Sequence, residues 1–229
     1  MELVRDHRLS ATGMPHPVSI RVGAIAEYAE AASAFDKIQG YLVGLEGYAL
    51  MLLAADGEGE GAIVEIGSFM GRSTCWLAAG SKKAGREHIT AVDHFRGSPE
   101  HQPGGEHENH TLVREGSTLR VFEENLRSAG LRDYVEPVVA SSEEAARTWT
   151  KPIRLLFIDG DHSYEASKRD FDLWSPFVVE RGYVGFHDVG WWPGVTRFYK
   201  ELMESTREYE KAFQVVSLHA IQKVSHKRP

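Results

Sequence analysis

Five short apolar runs rich in β-branched residues, each followed by a stretch with helical spacing, constrain the fold of this chain more than any other feature. They are AIVEIG (62–67), HITAVDHF (88–95), YVEPVVAS (134–141), IRLLFID (153–159) and GYVGFHD (182–188). Between them, RSTCWLAAGSKKA, STLRVFEENLRSAG, SEEAARTW and SYEASKRDFDLWSPFV carry apolar residues three and four apart. Such alternation predicts a parallel sheet covered by helices on both faces, a doubly wound α/β fold. VTRFYKELMEST reads as a further helix, and AFQVVSLHAIQKVS as late strands at an edge of the sheet. Ahead of the first strand, residues 24–55 have the spacing of two helices, and residues 1–23 read as an N-terminal arm. With 229 residues, 42% of them hydrophobic and no shift in composition, residues 24–229 are expected to form one domain.

The formal charge of -7 argues against nucleic acid or an anionic membrane as the main partner. Cys75 is the only cysteine, which excludes an internal disulfide and a cysteine-based zinc site. No apolar run reaches the roughly 20 residues of a bilayer span, and the first residues lack the apolar core of a signal peptide. A cytoplasmic protein is expected.

In sheets of this kind the ligand site lies beyond the carboxyl ends of the strands, where the strand order reverses. Asp93, Asp159, Asp161, His187 and Asp188 all fall at or just past such ends. The first turn, EIGSFMGRS, has Gly67 to turn sharply off the strand and Gly71 to admit a ligand close to the backbone at a helix N-terminus. Asp93, 26 residues beyond Gly67, ends the next strand, where a carboxylate can accept two ribose hydroxyls. Together they point to a nucleoside ligand.

VEIGSFMGRST, AVDHF, VVASSEEA, LLFIDGDHSYE and GYVGFHDV, in this order, resemble class I S-adenosylmethionine-dependent methyltransferases, specifically the small metal-dependent O-methyltransferases acting on catechols, bacterial sugars and natural products. The resemblance spans roughly residues 40–190 and implies a Rossmann-like, mostly parallel seven-stranded sheet with an antiparallel last strand. It also implies S-adenosyl-L-methionine as cofactor, bound by Glu65, Gly67, Gly71, Ser73, Asp93, Ser141, Ser142 and Asp159, with Glu65 and Gly67 at the methionine moiety, Asp93 at the ribose, and Ser141 and Ser142 at the adenine. Asp159, His187 and Asp188 match the positions that hold one divalent metal in that family, with magnesium expected and manganese or zinc as alternatives. His187 stands where the family has an acidic residue, and imidazole suits zinc, manganese or iron better than magnesium. As an alternative, His187 contacts substrate. His162 matches the general base, and an imidazole of ordinary pKa near roughly 6.5 can accept the acceptor hydroxyl's proton. Asp161 is read as orienting His162 or, preferably, capping the helix that follows.

Residues 94–111, with four histidines, three glutamates and no periodicity, are expected to form a lid beside the cleft, and Trp191 and Trp192 to offer aromatic faces to an acceptor. The implied partner is a small-molecule sugar or natural product, and the chain is expected to be a homodimer or higher homo-oligomer. The rival reading is a metal-dependent hydrolase using Asp159, His162, His187 and Asp188, since His/Asp sets with an open position activate water. That reading leaves the glycine turn and Asp93 without a role.

Overall fold

The computed structural model describes residues 17–224. Its helices are α1 (Pro17–Phe35), α2 (Gly44–Asp56), α3 (Arg72–Ala84), α4 (His110–Glu115), α5 (Leu119–Ser128), α6 (Ser142–Ala146), α7 (Tyr164–Trp174) and α8 (Pro193–Ser205). The strands are β1 (Ala62–Ile66), β2 (Ile89–Asp93), β3 (Val135–Val139), β4 (Ile153–Ile158), β5 (Val178–Phe186), β6 (Tyr209–Val215) and β7 (Leu218–Lys223). They form one seven-stranded sheet in the order β3-β2-β1-β4-β5-β7-β6. Strands β1 to β5 pair in parallel, and β7 pairs antiparallel with both β5 and β6. The order reverses between β1 and β4, and the site lies there.

Side-chain parity along the central strands separates two cores. Ile63, Ile89, Ala91, Leu155 and Phe157 face one layer built from α1, α2, α3 and α5, with Trp76, Leu50, Phe122 and Leu126 at its centre. Val64, Ile66, Val92, Leu156, Ile158, Val184 and Phe186 face the other, where Phe171, Trp174 and Phe198 supply the bulk. Strands buried on both faces read as continuous apolar runs, which is why the sequence pattern identified them. Cys75 lies wholly buried in α3, and burial pushes its thiol up to about 12.

Element ends differ from the sequence expectation in three places. Helix α1 begins at Pro17, inside the expected arm, since proline is pre-set for a first helical turn; residues 1–16 of that arm lie outside the described residues. The helix in SYEASKRDFDLWSPFV stops at Trp174, and Pro176 falls in a 3-10 turn from which β5 already starts at Val178. The segment 94–111 carries a 3-10 turn at Pro99–His101 and the start of α4, whose N-cap Asn109 accepts from the amides of Thr111 and Leu112. His101 is buried there between Tyr41 and Phe69, with ring centroids 5.6 and 5.1 Å away.

Candidate active site

The ends of β1 and β4 meet through Gly67. Its φ of +86° belongs to glycine, and a Cβ there would sit 2.1 Å from the carbonyl oxygen of Asp159. Gly67 donates to the Val92 carbonyl, and Asp159 donates to that of Ile66, so the rim of three strands is laced together. Beyond it opens a cleft of about 500 Å3, within the range of roughly 300–1,000 Å3 that takes small cofactors. Gly67, Ser73, Asp93, Ser141, Ser142, Asp159, His162, His187 and Asp188 line it.

Glu65 and Gly71 do not. Glu65 points into the core beneath the turn, where its Oε2 accepts from the hydroxyls of Ser68 and Thr74, and burial pushes its carboxyl up to about 7. Gly71 starts α3 in the left-handed region and lies against the Phe122 ring. The carboxylate of Asp93 faces the turn as well as the cleft: Oδ2 accepts from the amides of Ser68 and Phe69, and Oδ1 from that of Phe95. With about four acceptor positions on a carboxylate, it retains capacity for a ligand hydroxyl. Ser141 caps α6 in a capping box with Glu144, and Ser142 accepts from the indole N–H of Trp174.

At the ends of β4 and β5 an ionisable cluster gathers. Asp159, His162 and Asp188 offer ligand atoms that all lie within 4.8 Å of one another. His187, almost fully buried, points Nδ1 at Asp159 Oδ1 (3.0 Å) and Asp188 Oδ2 (3.2 Å). His162 Nε2 lies 3.1 Å from Asp188 Oδ2, and its Nδ1 makes an ion-pair contact of 2.9 Å with Glu100 Oε1 without hydrogen-bond alignment. Asp188 takes a left-handed φ of 64°, which directs its carboxylate back into the cluster while its carbonyl accepts from the amides of Trp191 and Trp192. Burial opposes the charged form of both histidines, but the surrounding carboxylates outweigh it and raise both pKa values, that of His187 strongly. The same contacts overcome burial at Asp188 and hold it below the usual carboxylate range, whereas burial dominates at Asp159 and raises it.

The remaining expected groups divide. Trp192 stacks on His162 at 4.4 Å and 15°, while Trp191 is more than half exposed at the rim. Ser163, not Asp161, is the N-cap of α7; Asp161 accepts from the Ser163 amide two residues on, in an Asx turn. Glu100, Glu46 and Tyr41 carry parts of the site that motif reading passed over.

A family described as a methyltransferase domain matches residues 64–189, more than half of the chain. The chain belongs to this methyltransferase family. Solved structures support the fold of the methyltransferase. Cofactor-bound Rv0187 from MTB is 21% identical with a TM-score of 0.61, covering 92% of this chain and 98% of that one. The O-methyltransferase TomG from Streptomyces achromogenes, in complex with SAM, is 18% identical with a TM-score of 0.59, covering 88% and 89%. The O-methyltransferase from Bacillus cereus, in complex with SAH, is 18% identical with a TM-score of 0.58, covering 88% and 90%. The strand order and the antiparallel β7 of this methyltransferase agree with the expected fold, and the metallohydrolase alternative finds no support among these relatives.

Proposed function

We propose that this methyltransferase moves a methyl group from S-adenosyl-L-methionine to a hydroxyl of a small sugar, glycoside or natural-product acceptor. The observation that carries the reading is the joining of two half-sites in one cleft. The turn with Gly67, Ser73 and Asp93 provides a nucleoside and methionine side, and Asp159, His162 and Asp188 form the reacting side. In the transfer the acceptor oxygen bonds to the methyl carbon as the carbon–sulfur bond breaks; the electron pair leaves with sulfur, giving S-adenosylhomocysteine, and the His162 imidazole, in its neutral form, takes the hydroxyl proton. The protein's main contribution is to hold the reacting atoms about 3 Å apart and in line. Trp192, stacked on the imidazole, and Glu100 at its other nitrogen fix the ring of His162.

A divalent cation fits the cluster. Octahedral ligands about 2.1 Å from a metal lie about 3 Å from their neighbours, and the 3.0 and 3.2 Å between His187 Nδ1 and the two carboxylates have that spacing. Asp159, His187 and Asp188 would hold it, and when bound it would acidify the acceptor hydroxyl. The lone buried thiol and acidic charge suit the cytoplasm, and pairing of two copies is part of the same reading.

Calorimetric titration with S-adenosylhomocysteine tests the reading. Wild type is expected to show one site. Asp93→Asn should weaken it at least about tenfold through loss of a charge-assisted ribose contact. His162→Gln should keep the affinity while turnover on hydroxylated acceptors drops by roughly 10²–10⁴. Absence of binding to wild type would overturn the assignment.

A further inference from the structure

Glu46, in the first turn of α2, is completely buried, and nothing in the transfer step uses it. Its Oε1 accepts from the Ser217 amide (2.7 Å), the Ser217 hydroxyl (2.7 Å) and the Leu218 amide (3.1 Å). Its Oε2 accepts from the Val43 amide at 2.8 Å and faces His187 Nε2 at 3.2 Å. So many donors for one side chain, drawn from α2 and the start of β7, hold an ionised carboxylate in one orientation. Contacts with two backbone segments also leave it little freedom to turn away from His187.

An ionised carboxylate only accepts hydrogen bonds, so the ring nitrogen it faces must carry the hydrogen. Nε2 is thereby committed to Glu46, and Nδ1 is the ring nitrogen left facing Asp159 and Asp188, at 3.0 and 3.2 Å. A dication bound between Nδ1 and the two carboxylates takes the place of the hydrogen that Nδ1 would otherwise share with them. Histidines that bind metals commonly give their other N–H to a carboxylate, which fixes the tautomer and makes the ring a better ligand. Magnesium demands oxygen ligands, whereas one imidazole with two carboxylates suits manganese, iron or zinc.

We propose that Glu46 is a positioning residue that fixes His187 as an Nδ1 ligand, so that His187, Asp159 and Asp188 take a transition-metal dication in preference to magnesium. This rests on the metal reading above and deepens it. The replacement Glu46→Gln tests the tautomer directly. With its carbonyl oxygen kept by the three donors at Ser217 and Leu218, its amide nitrogen replaces Oε2: the Val43 amide loses its acceptor, and an N–H turned to His187 Nε2 favours the hydrogen on Nδ1.

The experiment is calorimetric titration of chelator-stripped, full-length protein with MnCl2 and, separately, MgCl2, for wild type and Glu46→Gln, with S-adenosylhomocysteine as a parallel titrant. Wild type is expected to bind one Mn2+ at least tenfold more tightly than Mg2+. Glu46→Gln should weaken Mn2+ roughly 10–100-fold, with S-adenosylhomocysteine affinity unchanged. Equal Mn2+ affinity in the two proteins, or a preference for Mg2+ in wild type, would overturn the role of Glu46 and His187 and leave a metal site standing. Failure of wild type to bind either ion would remove the metal reading itself. Should Glu46→Gln not fold, pulsed electron paramagnetic resonance of the Mn2+-loaded wild type and His162→Ala decides. A directly bound imidazole nitrogen in both supports His187 as the ligand, and its loss in His162→Ala transfers the role to His162 and sinks the proposal.

Discussion

At Glu65 the sequence motif and the side chain's own chemistry part company. The residue belongs to the turn motif by position, but a strand buried on both faces sends it into the core. There its carboxyl titrates near 7, against 4.5 when solvated. A folded-state value above the unfolded one means that the folded chain holds a proton the unfolded chain releases between those values. Stability therefore falls as pH rises from about 4.5 and levels off above about 7, with the full loss bounded by about 3 kcal/mol. Glu65→Gln, uncharged at every pH, should match wild type in urea midpoint at pH 5 and exceed it at pH 8; parallel pH curves would contradict this. Asp93, Asp159 and Asp188 were legible because polar residues interrupt apolar runs at strand ends. Glu46 was not: its histidine partner lies 141 residues away, and a glutamate in a first helical turn is ordinary on dipole grounds alone. For His187 the sequence supplied the position but not the ring's direction, which three carboxylates from different elements decide.

Helix α2 precedes the alternating pattern, yet it brings Glu46 to the cluster through its packing on α3. A Cβ at Gly47 would meet the Trp76 ring at 2.3 Å, and one at Gly80 would meet the Met51 carbonyl oxygen at 2.0 Å. Backbone cannot move aside as a flexible side chain can. Gly80→Ala is therefore expected to cost about 1–3 kcal/mol by forcing the two helices apart, and to lower the thermal midpoint by several degrees. A thermal scan checks it, and an unshifted midpoint would show that the contact yields. Apolar spacing identified both helices, but the closeness of their approach came from small residues whose role appears only when two elements are set together. Helix ends were the least legible part, since Pro176 had to be placed by where β5 needed to begin. The segment 94–111 lacked periodicity, so its fold over the cleft came from single contacts such as His101 between two aromatic rings.

On the scale of the whole molecule, one reversal of strand order brings groups from every third of the chain to a single rim. Ligand bound there is held by the folded chain alone, so its binding free energy adds to stability. S-adenosylhomocysteine at about 100 times its Kd should contribute about 2.7 kcal/mol, raising the thermal midpoint by roughly 5–10 °C. A scan in which the midpoint does not move with ligand concentration would count against binding at this rim. The overall architecture was the most legible layer of all, because alternation of two periodicities leaves few topologies open. Cys75 sits in the opposite situation from the rim, sealed in α3 with its thiol pushed up to about 12. Since the thiolate is the reactive form, oxidation or alkylation of this sulfur is confined to molecules that have already opened.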